Sequence, residues 1–163
     1  MATFIILKPE ALIQRIVGKI FTRFERKGFN LSNVLSTCPN KAVVEEHYAE
    51  HKGKDFYPRL CAQFINNEVM CAQVTHPLMN QEECVKAVRV LVGNLSTPGT
   101  IRGDFGQFSN VNMIHASDSV ESAQREMKLW YTTVHLYDAL DEGSDDERND
   151  SEWVPPEARS GYH

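Results

Sequence analysis

No uninterrupted apolar stretch in this sequence exceeds four residues. A helix that crosses a bilayer needs about 20 such residues, so a helical membrane span is excluded. The opening, MATFIILKPEAL, has no basic n-region, and Lys8 and Pro9 cut its apolar run short, so no secretory leader is expected. Cysteine is scarce. Cys38, Cys61, Cys71 and Cys84 sit at no metal-ligand or redox spacing, which argues against a zinc cluster or disulfide framework and for reduced thiols in a cytoplasmic protein. No segment repeats, which excludes a solenoid. An excess of charge of one sign is missing from most of the chain: residues 141–163 hold eight acids and two bases, a net of -6 that leaves +1 for residues 1–140. The whole-chain charge of -5 therefore belongs to the tail and says nothing about the partners of the rest.

What is present is periodicity. TFIILK at residues 3–8 reads as a buried strand. From Leu12 to Lys27, apolar residues recur at steps of three and four (Leu12, Ile13, Ile16, Val17, Ile20, Phe21, Phe24), one face of a helix that Gly28 closes. Residues 29–37 alternate in part and read as a second strand. Residues 41–53 and 55–66 read as two short helices, with Pro58 placed where a first turn tolerates it. Residues 68–75 form a third strand, and residues 80–93 a helix with an acidic start and Gly93 at its end. Residues 94–110 are expected as a loop and 111–115 as a fourth strand. A last helix runs over 118–131, with Asp118 as N-cap and Glu121 completing a capping box. Without the middle helical hairpin the order is βαββαβ. The expected fold is α+β and ferredoxin-like: a four-stranded antiparallel sheet, an extra helical hairpin between strands 2 and 3, and a disordered acidic C-terminal tail. The domain would span residues 1–140 and the tail 141–163.

His115 stands between a short apolar run and a Ser-Asp-Ser cluster. A lone histidine at a strand end is more often structural than catalytic. To carry a phosphoryl group an imidazole needs a stabilised anion, a fixed tautomer and an in-line donor. The following helix offers free N–H groups and its positive end, and Glu126 on it can reach back toward Ser117 or the ring. Arg102 in a Gly-rich loop, Arg89 on the preceding helix and Lys8 at the end of the first strand make a polyphosphate pocket plausible. His47 and His51 are four apart, a spacing zinc can use, but HYAEH lacks a zincin's glutamate and no third ligand is evident, so no protein-held metal is expected.

The pair NMIHASDS and PGTIRGDF resembles the nucleoside diphosphate kinase family. Asn112, His115, Ala116, Ser117 and Asp118 match the fixed positions of its histidine signature, and the likeness covers residues 3–131, with RFERKGF and EHY in support. The resemblance implies ping-pong transfer of the γ-phosphate of a nucleoside triphosphate to a nucleoside diphosphate, through a phosphohistidine. It implies that His115 attacks through Nδ1, with Ser117 and Glu126 orienting it. Arg89 and Arg102 would contact the phosphates. Tyr48 and Lys8 would hold the transferring group, and Lys8 with Asn112 would meet the sugar 3′-hydroxyl. Phe56 would stack on the base, tolerant of its identity, with Leu60 beside it. Mg²⁺ would ride on the nucleotide, which accounts for the lack of a metal cage. A cytoplasmic homo-oligomer, a hexamer in the family, is implied as partner arrangement, with no membrane and no specific nucleic acid.

Three departures stand against the family pattern. The loop between Gly93 and Pro98 is shorter than usual, so the threonine that touches phosphates there has two candidate counterparts, Leu95 and Thr97. That loop also makes subunit contacts in the hexamers. HPLMNQEEC carries extra residues, and Lys54 stands where an arginine is common, keeping charge but losing a bidentate fork. A regulatory member without turnover is the second reading, and retention of the histidine and both arginines favours the enzyme. An RNA-binding reading rests on fold alone, and no RNP-like pair of aromatic strands supports it.

Overall fold

The computed structural model describes residues 1–107 and 111–141. The acidic segment beyond residue 141, read above as a disordered tail, lies outside the described residues. β1 (Thr3–Leu7) is buried along its whole length because it lies between two neighbours and under helices on both faces. Its alternate side chains divide the interior. Ile5 and Leu7 join Ile20, Phe24, Val88 and Ile114 on one face. Phe4 and Ile6 join Val44, Tyr48, Phe64 and Trp130 on the other.

The sheet order is β2-β3-β1-β4, with β2 (Asn30–Thr37), β3 (Val69–Thr75) and β4 (Ile114–Ala116), every pairing antiparallel. This is the expected ferredoxin-like arrangement. The incomplete alternation of β2 has a cause: a register shift between Ser32 and Leu35, where Asn33 adopts φ 47°. α3 (Lys41–His47) and α4 (Tyr57–Phe64) form the extra hairpin between β2 and β3. α3 is shorter than expected and passes through Tyr48 into a 3₁₀ turn, Ala49–His51.

Four expectations need correction. The single helix over residues 12–27 is two helices, α1 (Pro9–Ile13) and α2 (Val17–Glu25). Arg15 at φ 58° sits between them, Arg15 N–H donates to Leu12 O and Ile16 N–H to Ala11 O. That bond pair is a Schellman stop built on arginine, so no glycine announced it. Lys8 and Pro9 do follow the end of β1 as expected, and Pro9 is also the first residue of α1. After α5 (Gln81–Val92), whose Asn80 and Glu83 form a capping box, the expected loop contains α6 (Ile101–Phe105), capped by Thr100 Oγ1 accepting from Gly103 N–H at 3.0 Å. The fourth strand begins at Ile114 rather than Val111, for a reason given below. The last helix, α7 (Val120–Asp141), is capped by Ser119 Oγ accepting from Ser122 N–H at 3.0 Å, not by Asp118, and it runs past residue 131. Among the described residues no helix is long and apolar enough to cross a membrane.

Candidate active site

The strand that carries His115 starts abruptly. Ile114 N–H donates to Asn112 O at 2.8 Å, an i→i+2 bond, and Met113 between them adopts φ 66°. Such a γ-turn around a non-glycine residue is strained. It ends the segment from Val111 and swings the chain into β4. Lys8 N–H donates to Met113 O and Ser117 N–H to Phe4 O, so residues 113, 115 and 117 turn their backbone toward β1. The carbonyls of Ile114 and Ala116 then face the open edge of the sheet. Arg102 Nη2 donates to Ile114 O at 2.8 Å and Arg89 Nη1 to Ala116 O at 3.2 Å. The strand's unpaired edge thus holds one guanidinium on each side of His115. Arg102 also donates from Nη1 to Gly93 O, and burial, with Arg89 nearby, lowers its pKa.

The imidazole is fixed from α7. Glu126, 4% exposed, lies with Oε1 at 3.1 Å from His115 Nε2. Its other oxygen, Oε2, accepts a short hydrogen bond from the fully buried Ser117 hydroxyl. A carboxylate only accepts, so Nε2 carries the proton and Nδ1 keeps its lone pair. The order Ser117–Glu126–His115 therefore selects one tautomer and leaves the lone pair of the other nitrogen available.

A cleft of about 440 Å³ of empty space, partly open to solvent, lies beside the ring, lined by His115, His47, Tyr48, Arg89, Asp118, Glu126 and the Glu50–His51 turn among others. Lys8 is buried, and its Nζ donates to Asn112 Oδ1 at 2.7 Å. Burial lowers its pKa to about 8, Glu10 opposes that shift and Arg102 adds to it. Tyr48 is buried with its ring against Phe64 and His47, and burial raises its pKa. Asp118, though not the cap, takes a hydrogen bond from the Ser122 hydroxyl, which lowers its pKa.

Phe56 is half exposed (51%), as a stacking surface must be, and is not in the cleft lining itself but one ring out from His51, which is. His51 packs against it at 5.5 Å between centroids, and Lys54 Nζ lies 5.7 Å from its centroid. Lys54 thus braces a ring instead of forking onto an anion. Leu60 packs on the interior with Tyr48 and Phe64 and does not line the cleft beside His115. In the shortened loop, Thr97 Oγ1 donates to Asn94 Oδ1 at 2.8 Å, and Leu95 lies against Gly106. Neither lines that cleft. His47 and His51 do not act as a pair: His47 is buried against Trp130 and His115, while His51 turns to Phe56 and Glu50. Sequence reasoning missed the cleft positions of Glu50 and His51 and the neighbour role of His47. Only the HxxxH spacing drew attention to the two histidines, and for the wrong chemistry.

A profile of the family described as nucleoside diphosphate kinase matches residues 1–136. A nucleoside diphosphate kinase of Schizosaccharomyces pombe is 42% identical over 142 residues, covering 83% of this chain and 91% of that protein. The crystal structure of a nucleoside diphosphate kinase family protein from Babesia bovis superposes with a TM-score of 0.73 at 40% identity, covering 82% of this chain and 89% of that one. A transition-state mimic of nucleoside-diphosphate kinase from Borrelia burgdorferi with bound vanadate and ADP superposes at 0.70 with 26% identity, covering 80% and 86%. With His115 held on one tautomer between two arginines, inside a match that takes in every strand of the sheet, this chain belongs to the nucleoside diphosphate kinase family.

Proposed function

We propose that the protein transfers the γ-phosphate of a nucleoside triphosphate to a nucleoside diphosphate through a phosphohistidine at residue 115. One observation carries the reading: Glu126 occupies Nε2 of His115 and leaves Nδ1 uncommitted on a strand whose open edge holds Arg89 and Arg102 to either side. Nδ1 attacks the γ-phosphorus, a P–N bond forms as the P–O bond to the departing diphosphate breaks, and a second diphosphate reverses the step. Glu126 takes no proton in this exchange. It holds the Nε2–H while the ring gains positive character, as Ser117 holds Glu126.

Arg89 and Arg102 face the charge spread over the transferring oxygens. Lys8, positioned by Asn112, and Tyr48 hold the phosphoryl group, and Lys8 with Asn112 receives the sugar 3′-hydroxyl. Phe56 supplies the stacking face, and Leu60 backs the hairpin that carries it. The nucleotide enters as its Mg²⁺ complex. Glu50 and Asp118 on the cleft wall are oxygen donors of the kind a hydrated Mg²⁺ accepts. The chain is a cytoplasmic homo-oligomer on this reading, the arrangement that the resemblance to the family implies. Native mass measurement decides the assembly.

Incubation with γ-labelled ATP tests the central claim. The protein acquires acid-labile, alkali-stable label and passes it to added diphosphate, and His115→Ala acquires none. Stable label on the alanine variant places the nucleophile elsewhere.

A further inference from the structure

His47 has no part in the scheme above, yet it is one of the most constrained side chains near the nucleophile. It is 3% exposed. The indole Nε1–H of Trp130 donates to its Nδ1 at 3.1 Å. A ring nitrogen that accepts carries no proton, so the neutral ring has its proton on Nε2. Its ring stands nearly perpendicular to that of His115, at 78° with centroids 4.7 Å apart. Tyr48 and Trp130 meet it in the same edge-to-face manner, at 4.6 Å and 80°, and 5.6 Å and 81°. Three aromatic neighbours and one hydrogen bond leave it a single orientation.

His115 is less well held without it. One hydrogen bond to Glu126 fixes the Nε2 end of the ring but still permits a swing about that contact, and a swing carries Nδ1 off line. We infer that His47 is a positioning residue for His115: an uncharged wedge, anchored by Trp130, that holds the nucleophile's ring so that Nδ1 faces the incoming phosphoryl group. The inference rests on the reading of His115 as nucleophile. It deepens that reading by giving the Trp130–His47 pair, on α7 and α3, a function in the chemistry of β4.

The charges around the wedge agree with this role. Burial lowers the pKa of His47 well below the ordinary range, and His115, Arg125, Lys8 and His51 push it the same way. An uncharged wedge does not add a further cation to a ring that must itself develop positive character.

A metal-binding role competes for the same atoms. His47, His115 and Glu126 each offer a ligand atom within 4.8 Å of the others. To ligate through Nε2, His47 would have to move its proton to Nδ1, where the Trp130 N–H already points. Both Glu126 oxygens are occupied, by Ser117 and by His115. Hydrogen bonding and packing account for the trio.

The test measures single-turnover phosphorylation of the full chain across a range of ATP concentrations, with melting curves for each variant and His115→Ala as control. His47→Ala lowers the maximal rate on the order of 10²-fold while half-saturating ATP stays within about twofold, because alignment is lost and no nucleotide contact is. His47→Phe keeps the wedge but orphans the Trp130 N–H, so it is slow and destabilised. The pair His47→Phe with Trp130→Phe restores a wedge without an orphan and recovers the rate to within about threefold of wild type, because shape rather than a nitrogen sets the alignment. A double variant as slow as His47→Ala overturns the inference, as does a folded His47→Ala with the wild-type rate. If His47→Ala does not fold, the double variant alone decides. Long-range ¹H–¹⁵N spectra give a second readout: His47 shows one tautomer protonated on Nε2, and protonation on Nδ1 contradicts the wedge. A wild-type chain that forms no label on His115 fails the nucleophile reading instead, which the control separates.

Discussion

One carboxylate decides which nitrogen of His115 reacts, and that makes Glu126 the sharpest residue-scale test. In Glu126→Gln the amide can accept or donate, so the preference for Nε2–H weakens. The rate of phosphorylation falls by about 10–100-fold, the range seen when a group that orients a reactive side chain is lost. Ser117→Ala, which leaves the carboxylate in place but loosens it, costs less. Stopped-flow phosphorylation orders the two, and a larger loss in Ser117→Ala contradicts the hierarchy. Lys8 gives a prediction in pH. Its pKa lies near 8 because burial disfavours the cation, so charge is lost from pH 8 upward instead of above 10. If the cation holds the transferring group, kcat/KM falls along an alkaline limb centred near 8. Lys8→Arg, which stays protonated, removes that limb whatever its absolute rate. A limb that survives the substitution belongs to another group. These residues were legible in the sequence because they sit in short, dense stretches around His115, Arg102 and Lys8. His47 was not, because its role depends on ring contacts with Trp130 and His115, far away in the chain. Asp118 misled in the opposite sense: two hydroxyls flank it, and the one at Ser119 makes the cap.

At the scale of elements, the structure departs from the sequence reading wherever a stop or start lacks its usual residue. The α1–α2 break uses Arg15 in the left-handed region where glycine is ordinary. α6 is five residues long, too short for periodicity to show. β1 was legible as an almost wholly apolar run, and the longer β3, α5 and α7 because each buries a regular face. The same departures locate the weak points of the site. Gly103 lies on α6 beside Arg102, and a Cβ there would come within 1.8 Å of Thr97 O, a backbone atom. Gly103→Ala must therefore push the short loop away from α6. The expected cost is on the order of 1–3 kcal/mol, the range for overpacking, and it falls on nucleotide affinity too because Arg102 moves with the helix. Denaturant titration and ATP saturation curves measure the two effects. A variant as stable as wild type with unchanged KM shows that the loop yields freely. Ser119→Ala removes the observed cap of α7 and costs about 1 kcal/mol. Asp118→Ala leaves the cap bond intact, so a larger stability loss there than at Ser119 would reassign the cap.

For the molecule as a whole, charge and chemistry are separated along the chain. The family match ends at residue 136, and every strand, arginine and histidine used above lies within it. Residues 142–163 carry seven acids and two bases, which equals the formal charge of the entire chain and leaves residues 1–141 neutral in sum. The substrates are polyanions. Fixed negative charge on the same molecule repels them at a distance, whatever conformation carries it, and the repulsion reaches as far as the Debye length allows: about 30 Å at 0.01 M salt and about 8 Å at physiological ionic strength. A chain ending at Asp141 is therefore expected to keep its melting temperature and its kcat, since no residue of the proposed site is removed. Its KM for ATP should drop by about two- to fivefold at low salt, where steering acts, and rejoin that of the full chain as salt is raised. Titrating KM against ionic strength for both lengths provides the check. Parallel lines at every salt concentration would mean that the acidic segment does not influence the approach of nucleotide. A fall in kcat on truncation would place part of the catalytic apparatus beyond residue 141, and the boundary drawn between domain and tail would have to move.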